Sequence, residues 1–218
     1  MTGTVYPEAT YRPMTFYSDA GVFNQAQRGW ILHVVQGNGS PYNYFQGSRY
    51  PGRKFSHFWV SKAGTVEQYA PINYKGWAQS AGNAEWWSVE TEGFPTEPLN
   101  PKQIEALARL HIWLGADDKW TDDVGGTGIG VHSMGGSAWG GHACPGNVRA
   151  AQRVAILSRV TELRVKKVGS MLTPQEIDAL ATAVVSKLLL TVIPSDQGAA
   201  DPNFQMLLAR VYKATVVK

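Results

Sequence analysis

Cysteine is nearly missing from this 218-residue chain, which has Cys144 alone. One thiol cannot close an internal disulfide, so a disulfide-stapled scaffold is excluded and Cys144 is free for metal binding or chemistry. Long apolar runs are missing too: no stretch approaches the roughly 20 residues that span a bilayer, so membrane insertion is not expected. No N-terminal run joins a basic flank to an apolar core, and the expectation is synthesis in a cytoplasm without a signal peptide. Charge is sparse, at 17% of residues, and the net +3 is spread along the chain. Without a basic block or an RNA-type aromatic motif, nucleic acid is not an expected partner.

What is present is apolar and aromatic. With 44% hydrophobic residues and eight tryptophans, the chain can bury one sizeable core and keep some rings for a binding groove. Residues 1–28, rich in Tyr, Pro and Gly without periodicity, read as an irregular arm. Trp30-Ile31-Leu32-His33-Val34-Val35 is a short, nearly all-apolar, β-rich run before Gly37-Asn38-Gly39-Ser40, so it predicts a central strand that leaves His33 near its end. Phe55 to Val60 and Thr65 to Tyr69 predict a hairpin turning at Lys62 to Gly64, and Ser88 to Glu92 a further strand. Asn100-Pro101-Lys102-Gln103 has the N-cap, first-turn proline and third-position glutamine of a helix start. Ile104, Leu107, Leu110, His111 and Leu114 follow at helical spacing, with His111 a core histidine. A second helix is expected after Gly146 to about Arg164, carrying Val148, Val154, Leu157 and Val160. Strands alternating with helices imply an α/β fold, a mixed central sheet flanked by helices.

The composition shifts near Lys166 to Ser170, dividing a catalytic part, residues 1–168, from a segment of residues 169–218. Thr173-Pro174-Gln175-Glu176 reads as a capping box before an apolar stripe of Ile177, Leu180, Ala181, Val184 and Leu188. Asp201-Pro202 starts another helix, with Phe204, Leu207, Leu208 and Val211 on one face. Two amphipathic helices of about fifty residues are too little to fold alone. They are expected to dock on the catalytic part, pair with another copy as a homo-oligomer, or bind a partner.

The chemistry concentrates between Val131 and Gly146, which hold Cys144 and two of the five histidines, His132 and His142. Imidazole and thiolate are zinc ligands of choice, and His33 is available as a third. The glycine-rich loop can fold His132 and Cys144 toward one point. Cys144 also stands at a helix start, where the positive end of the dipole favours a thiolate, an arrangement that suits a metal ligand and a nucleophile equally.

In their order along residues 25 to 165, strand-end His33, the hairpin Ser56-His57-Phe58-Trp59-Val60 to Val66, Ser88-Val89-Glu90-Thr91-Glu92-Gly93, and His132 to Cys144-Pro145-Gly146 resemble the zinc-dependent N-acetylmuramoyl-L-alanine amidases. These share a fold with peptidoglycan recognition proteins, and the chain most resembles endolysins of phages that infect actinobacteria. The resemblance implies zinc held by His33, His132 and Cys144, with Glu90 as the catalytic carboxylate. His142 stands two residues before the third ligand, where the family often has Lys or another donor, and would act on the oxyanion or as a further ligand. Ser56 replaces a tyrosine common in the phage and recognition branch, which leaves the proton work to Glu90. The implied reaction cleaves peptidoglycan between N-acetylmuramic acid and L-alanine, after release to the cell wall. Trp77 and Trp139 are expected to wall a glycan or peptide groove, and His57 to support the sheet or the ligands. A module on the same fold that binds wall fragments without cutting them would be marked by a lost ligand, and all three are present. A cysteine hydrolase is disfavoured because its nucleophile usually precedes its histidine.

Overall fold

The computed structural model describes residues 4–171, 173–179 and 182–183. Chain contacts divide the protein into two units, Met1–Leu163 and Arg164–Lys218. The first contains a six-stranded mixed sheet. Its strands are β1 (Ala9–Tyr11), β2 (Gly29–Leu32), β3 (Phe58–Val60), β4 (Val66–Gln68), β5 (Trp86–Thr91) and β6 (Gly128–Val131), in the spatial order β1-β4-β3-β5-β2-β6. The β3–β4 hairpin is the antiparallel pair, and all other neighbours run parallel. Its turn is closed by Gly64, whose φ of 84° suits a residue without a Cβ and whose N–H donates to the Ser61 carbonyl. Where β2 and β6 begin, a Cβ on Gly29 would lie 1.9 Å from the Gly128 carbonyl oxygen, so only glycine allows these strands to meet. The N-terminal arm is less irregular than its composition implies, since β1 pairs with β4.

Helices α1 (Tyr42–Gln46), α2 (Pro101–Leu114), α3 (Asn147–Ala151) and α4 (Arg153–Met171) complete the main elements. The expected start of α2 forms: Asn100 Oδ1 accepts from the Lys102 and Gln103 N–H groups, and the Gln103 side chain accepts from the Asn100 N–H. The single helix expected after Gly146 is two, interrupted at Gln152. That break resets the helical phase. Val148 and Val154 are exposed, 43% and 59%, while Ile156 and Val160 are fully buried.

Strand alternation sorts the two faces of the sheet. Trp30, Leu32, Phe58, Val60, Trp87, Val89 and Ile129 share one core with Leu107, Leu110, Leu114, Ile156 and Val160 of α2 and α4. The intervening residues Ile31, His33, Ser88 and Glu90 therefore take the other face, where Ile31 and Trp86 pack with Trp139. Helices cover the first face, and loops and short 3-10 turns build over the second. In the second unit, the capping box forms between Thr173 and Glu176, ahead of a helix at 174–179. Leu180, Ala181, Val184, Leu188 and the helix expected from Asp201 lie outside the described residues.

Candidate active site

His33 follows β2 directly, and its N–H and C=O continue the pairing with β5 through Val89 and Thr91. The β2–β5 register, Leu32 opposite Val89, carries on to set His33 beside Glu90 on the same face. His132 follows β6, the neighbour of β2 on its other side. From there the chain makes 3-10 turns over His132–Trp139, where the sequence predicts only a loop, with a break at Gly136 (φ 51°). The return is tied where the Ser133 N–H donates to the Cys144 carbonyl at 2.9 Å.

These elements bring His33, His132 and Cys144 together, with one ligand atom from each lying within 4.8 Å of the others. Cys144 Sγ is 3.7 Å from His33 Nδ1, close to the roughly 3.3–3.6 Å between nitrogen and sulfur ligands of a tetrahedral zinc. The donor set fits that ion. Burial, reinforced by the neighbouring His132, pushes the His33 imidazole well below its ordinary range, and burial also lowers His132. Both are neutral at pH 7, as ligation requires. Each ring engages its Nε2 elsewhere, His33 with Gln79 Oε1 at 3.3 Å and His132 with the Trp139 carbonyl at 2.7 Å.

Burial, with the Glu90 charge adding to it, pushes the Cys144 thiol up to about 12, against a hydrogen bond from the Val34 N–H. The thiolate expected from a helix dipole is therefore not favoured: α3 is only five residues long, and desolvation outweighs its start. A thiol so raised is a poor nucleophile at pH 7 and would release its proton to solvent on ligating a cation.

Glu90 is half-buried near the end of β5. Its Oε2 is buried without a partner, while Oε1 accepts from Ser56 Oγ at 3.2 Å. Burial raises the carboxyl to about 7, opposed by that hydrogen bond. His142 lies outside the three-residue cluster, exposed, with its ring centroid 5.0 Å from that of His132. Both imidazoles line a cleft of about 430 Å³ with Trp77, Trp139, Tyr50, Arg53 and Lys54, and no Asp or Glu lines it. Trp139 is itself buried, wedged between Trp86 and Gly82, where a Cβ would come within 2.5 Å of its ring.

His57 is fully buried beside Ser88. Its Nε2–H donates to the Tyr74 carbonyl and its Nδ1 accepts from the Ser88 N–H. His111 is a core residue, receiving the Trp30 indole N–H. Nothing in the sequence marks Gln79, the Ser56–Glu90 contact or Arg149. The guanidinium of Arg149, fully buried, reaches Thr91 Oγ1 at 2.6 Å and the carbonyls of Phe94, Glu92 and Glu97. Each depends on contacts across more than 30 residues, which spacing cannot show, except that Ser56 precedes the conspicuous His57.

A nitrogen-and-sulfur cluster that opens to a cleft through His132, with a buried, partnerless carboxyl oxygen of Glu90 on the same face of the sheet, is a site suited to hydrolysis. The sequence pattern of the family described as N-acetylmuramoyl-L-alanine amidase matches residues 23–147, which include His33, Glu90, His132 and Cys144. The chain belongs to the N-acetylmuramoyl-L-alanine amidase family, and its activity is that of a peptidoglycan amidase. A mutant of PlyL is similar in structure, at 15% identity and a TM-score of 0.52 over 71% of this chain and 98% of that one. AmpD, as a selenomethionine derivative, is similar at 17% identity and a TM-score of 0.51 over 71% and 96%. These two likenesses show a shared fold. The N-acetylmuramoyl-L-alanine amidase LysC of Clostridium intestinale URNW matches at 22% identity and a TM-score of 0.49, over 72% of this chain and 94% of that one. A comparison with curated protein sequences gave no match.

Proposed function

We propose that this amidase is zinc-dependent and serves as a phage endolysin, cutting the bond between N-acetylmuramic acid and the L-alanine of the stem peptide. His33, His132 and Cys144 hold the metal, Glu90 moves the proton, and His142 donates to the oxyanion. One observation carries the reading: two neutral imidazoles and a half-buried thiol converge within 4.8 Å, and one of them, His132, also lines the cleft.

Zinc in this donor set supplies a Lewis acid for water and for the scissile carbonyl. Glu90, oriented by Ser56 and desolvated on Oε2, accepts the proton of the attacking water and passes it to the departing L-alanine amine. A pKa near 7 suits both halves of that transfer, because the carboxylate is basic enough to take the proton and acidic enough to release it. His142, on the cleft wall, is placed to donate to the oxygen that gains negative charge, a contribution of about 2.7–4 kcal/mol for a well-aimed donor. Trp77 and Trp139 give the glycan or peptide an aromatic wall, and a lining with Arg53, Lys54 and no carboxylate complements the acidic groups of stem peptides.

The proposal includes synthesis in the host cytoplasm and action on the wall after release by another agent; among the described residues no helix is long and apolar enough to cross a membrane. For residues 169–218 the proposal is a docking or self-associating helical segment. Mass spectrometry of digested peptidoglycan tests the reaction: free stem peptides beginning with L-alanine are expected, and products cut only within the glycan or between stem-peptide residues would overturn it.

A further inference from the structure

We infer that Gln79 is a positioning residue that fixes His33 as the Nε2-protonated tautomer and so presents Nδ1 to the metal. The inference rests on the ligand set proposed above. An amide can point either way, and its surroundings decide. The Gln79 nitrogen lies 3.2 Å from the Trp86 carbonyl and 3.5 Å from the Gly82 carbonyl. Both are acceptors without a proton, so the nitrogen must face them and Oε1 must face His33. An amide oxygen has no proton to give. The contact of 3.3 Å therefore requires the proton on His33 Nε2, which leaves a lone pair on Nδ1. That atom faces Cys144 Sγ at 3.7 Å.

Gln79 is itself held in place. It is 1% exposed, and its backbone N–H donates to Asn83 Oδ1 at 2.8 Å at the start of the 3-10 turn Ser80–Ala84. His132 receives equivalent help from a backbone carbonyl, that of Trp139, so Gln79 is the side-chain half of the arrangement and the half that substitution can remove. Its geometry also distinguishes amide from carboxylate. In Gln79→Glu the second oxygen would face the Trp86 and Gly82 carbonyls, so the stronger acceptor is not expected to improve the site.

The test is zinc affinity by chelator competition on the full chain, with the His33 tautomer read by imidazole nitrogen NMR on metal-free protein. Gln79→Met, which keeps the packing and removes the hydrogen bonds, should weaken zinc binding about 10- to 100-fold. Gln79→Glu at pH 8 should also bind more weakly than the parent. Metal-free parent should carry the His33 proton on Nε2, and Gln79→Met should show a mixture. Thermal unfolding of metal-free variants separates these effects from misfolding, and the tautomer of the parent needs no variant. Equal or tighter zinc binding by either folded variant, or a proton on Nδ1 in the parent, overturns the inference. A parent that binds no zinc contradicts the ligand set instead, and the His33 tautomer then still decides what Gln79 does.

Discussion

Glu90 carries a cost that its surroundings do not offset: a carboxyl with one oxygen buried and partnerless, raised to about 7 by desolvation. A raised pKa means that folding favours the protonated form, so the stabilising difference is full below about 4.5 and is lost as pH rises through 7. Glu90→Gln should therefore leave the metal-free protein more stable than the parent at pH 8. The same variant should keep its zinc and lose about 10²- to 10⁴-fold in turnover, the range for a missing acid–base group. Metal analysis, calorimetry and turnover measured together check this, and near-normal activity would remove Glu90 from its role. His57 has the opposite sign. Burial lowers it from 6.5 to about 4, with its hydrogen bond to Tyr74 resisting, so the unfolded chain takes up a proton that the folded one refuses. That stability is whole above pH 6.5 and falls by about 3 kcal/mol as pH drops toward 4. Urea unfolding at pH 7 and 4.5 should show a larger loss in the parent than in His57→Gln, and equal losses would contradict it.

Among the elements, the long and periodic ones were legible. The central strand through His33, the β3–β4 hairpin, the strand through Glu90 and the capped start of α2 all follow from local chemistry, in alternation, turn glycine and N-cap. What escaped has no periodicity to read. β1 is three residues long and gains its identity from β4, more than 50 residues away. The turns over His132–Trp139 are too short and glycine-rich for a pattern, and the phase slip at Gln152 sent Val148 and Val154 to the surface. The contact between the 3-10 turns Ser80–Ala84 and His132–Trp139 is similarly invisible, although it holds a cleft wall. Gly82→Ala would push a methyl into the Trp139 ring. The Trp139 carbonyl fixes His132, so this substitution should cost about 1–3 kcal/mol of stability and weaken both zinc binding and substrate affinity. Unfolding and chelator titration measure the two effects, and an unchanged variant would show that the turns do not hold the site.

At the scale of the molecule, one face of the sheet is closed by α2 and α4, and the other carries the cluster, Glu90 and the cleft. That division follows from alternation in β2 and β5, where every second residue is apolar core and the residues between include His33 and Glu90. The cluster of His33, His132 and Cys144 was legible because the two histidines directly follow strands and Cys144 stands just before a helix start. The partners were not: Gln79, which faces His33, sits in a segment with no chemical signature of its own, and Ser56 stood out as a replaced tyrosine without any sign that it reaches Glu90. The most direct measurement is the metal itself. Protein purified without added metal should contain about one zinc per chain, chelation should abolish clearing of cell walls, and zinc should restore it, while His33→Ala and Cys144→Ser should fail to retain the ion. Full wall-clearing activity from a sample shown to be free of metal would contradict the zinc-dependent mechanism.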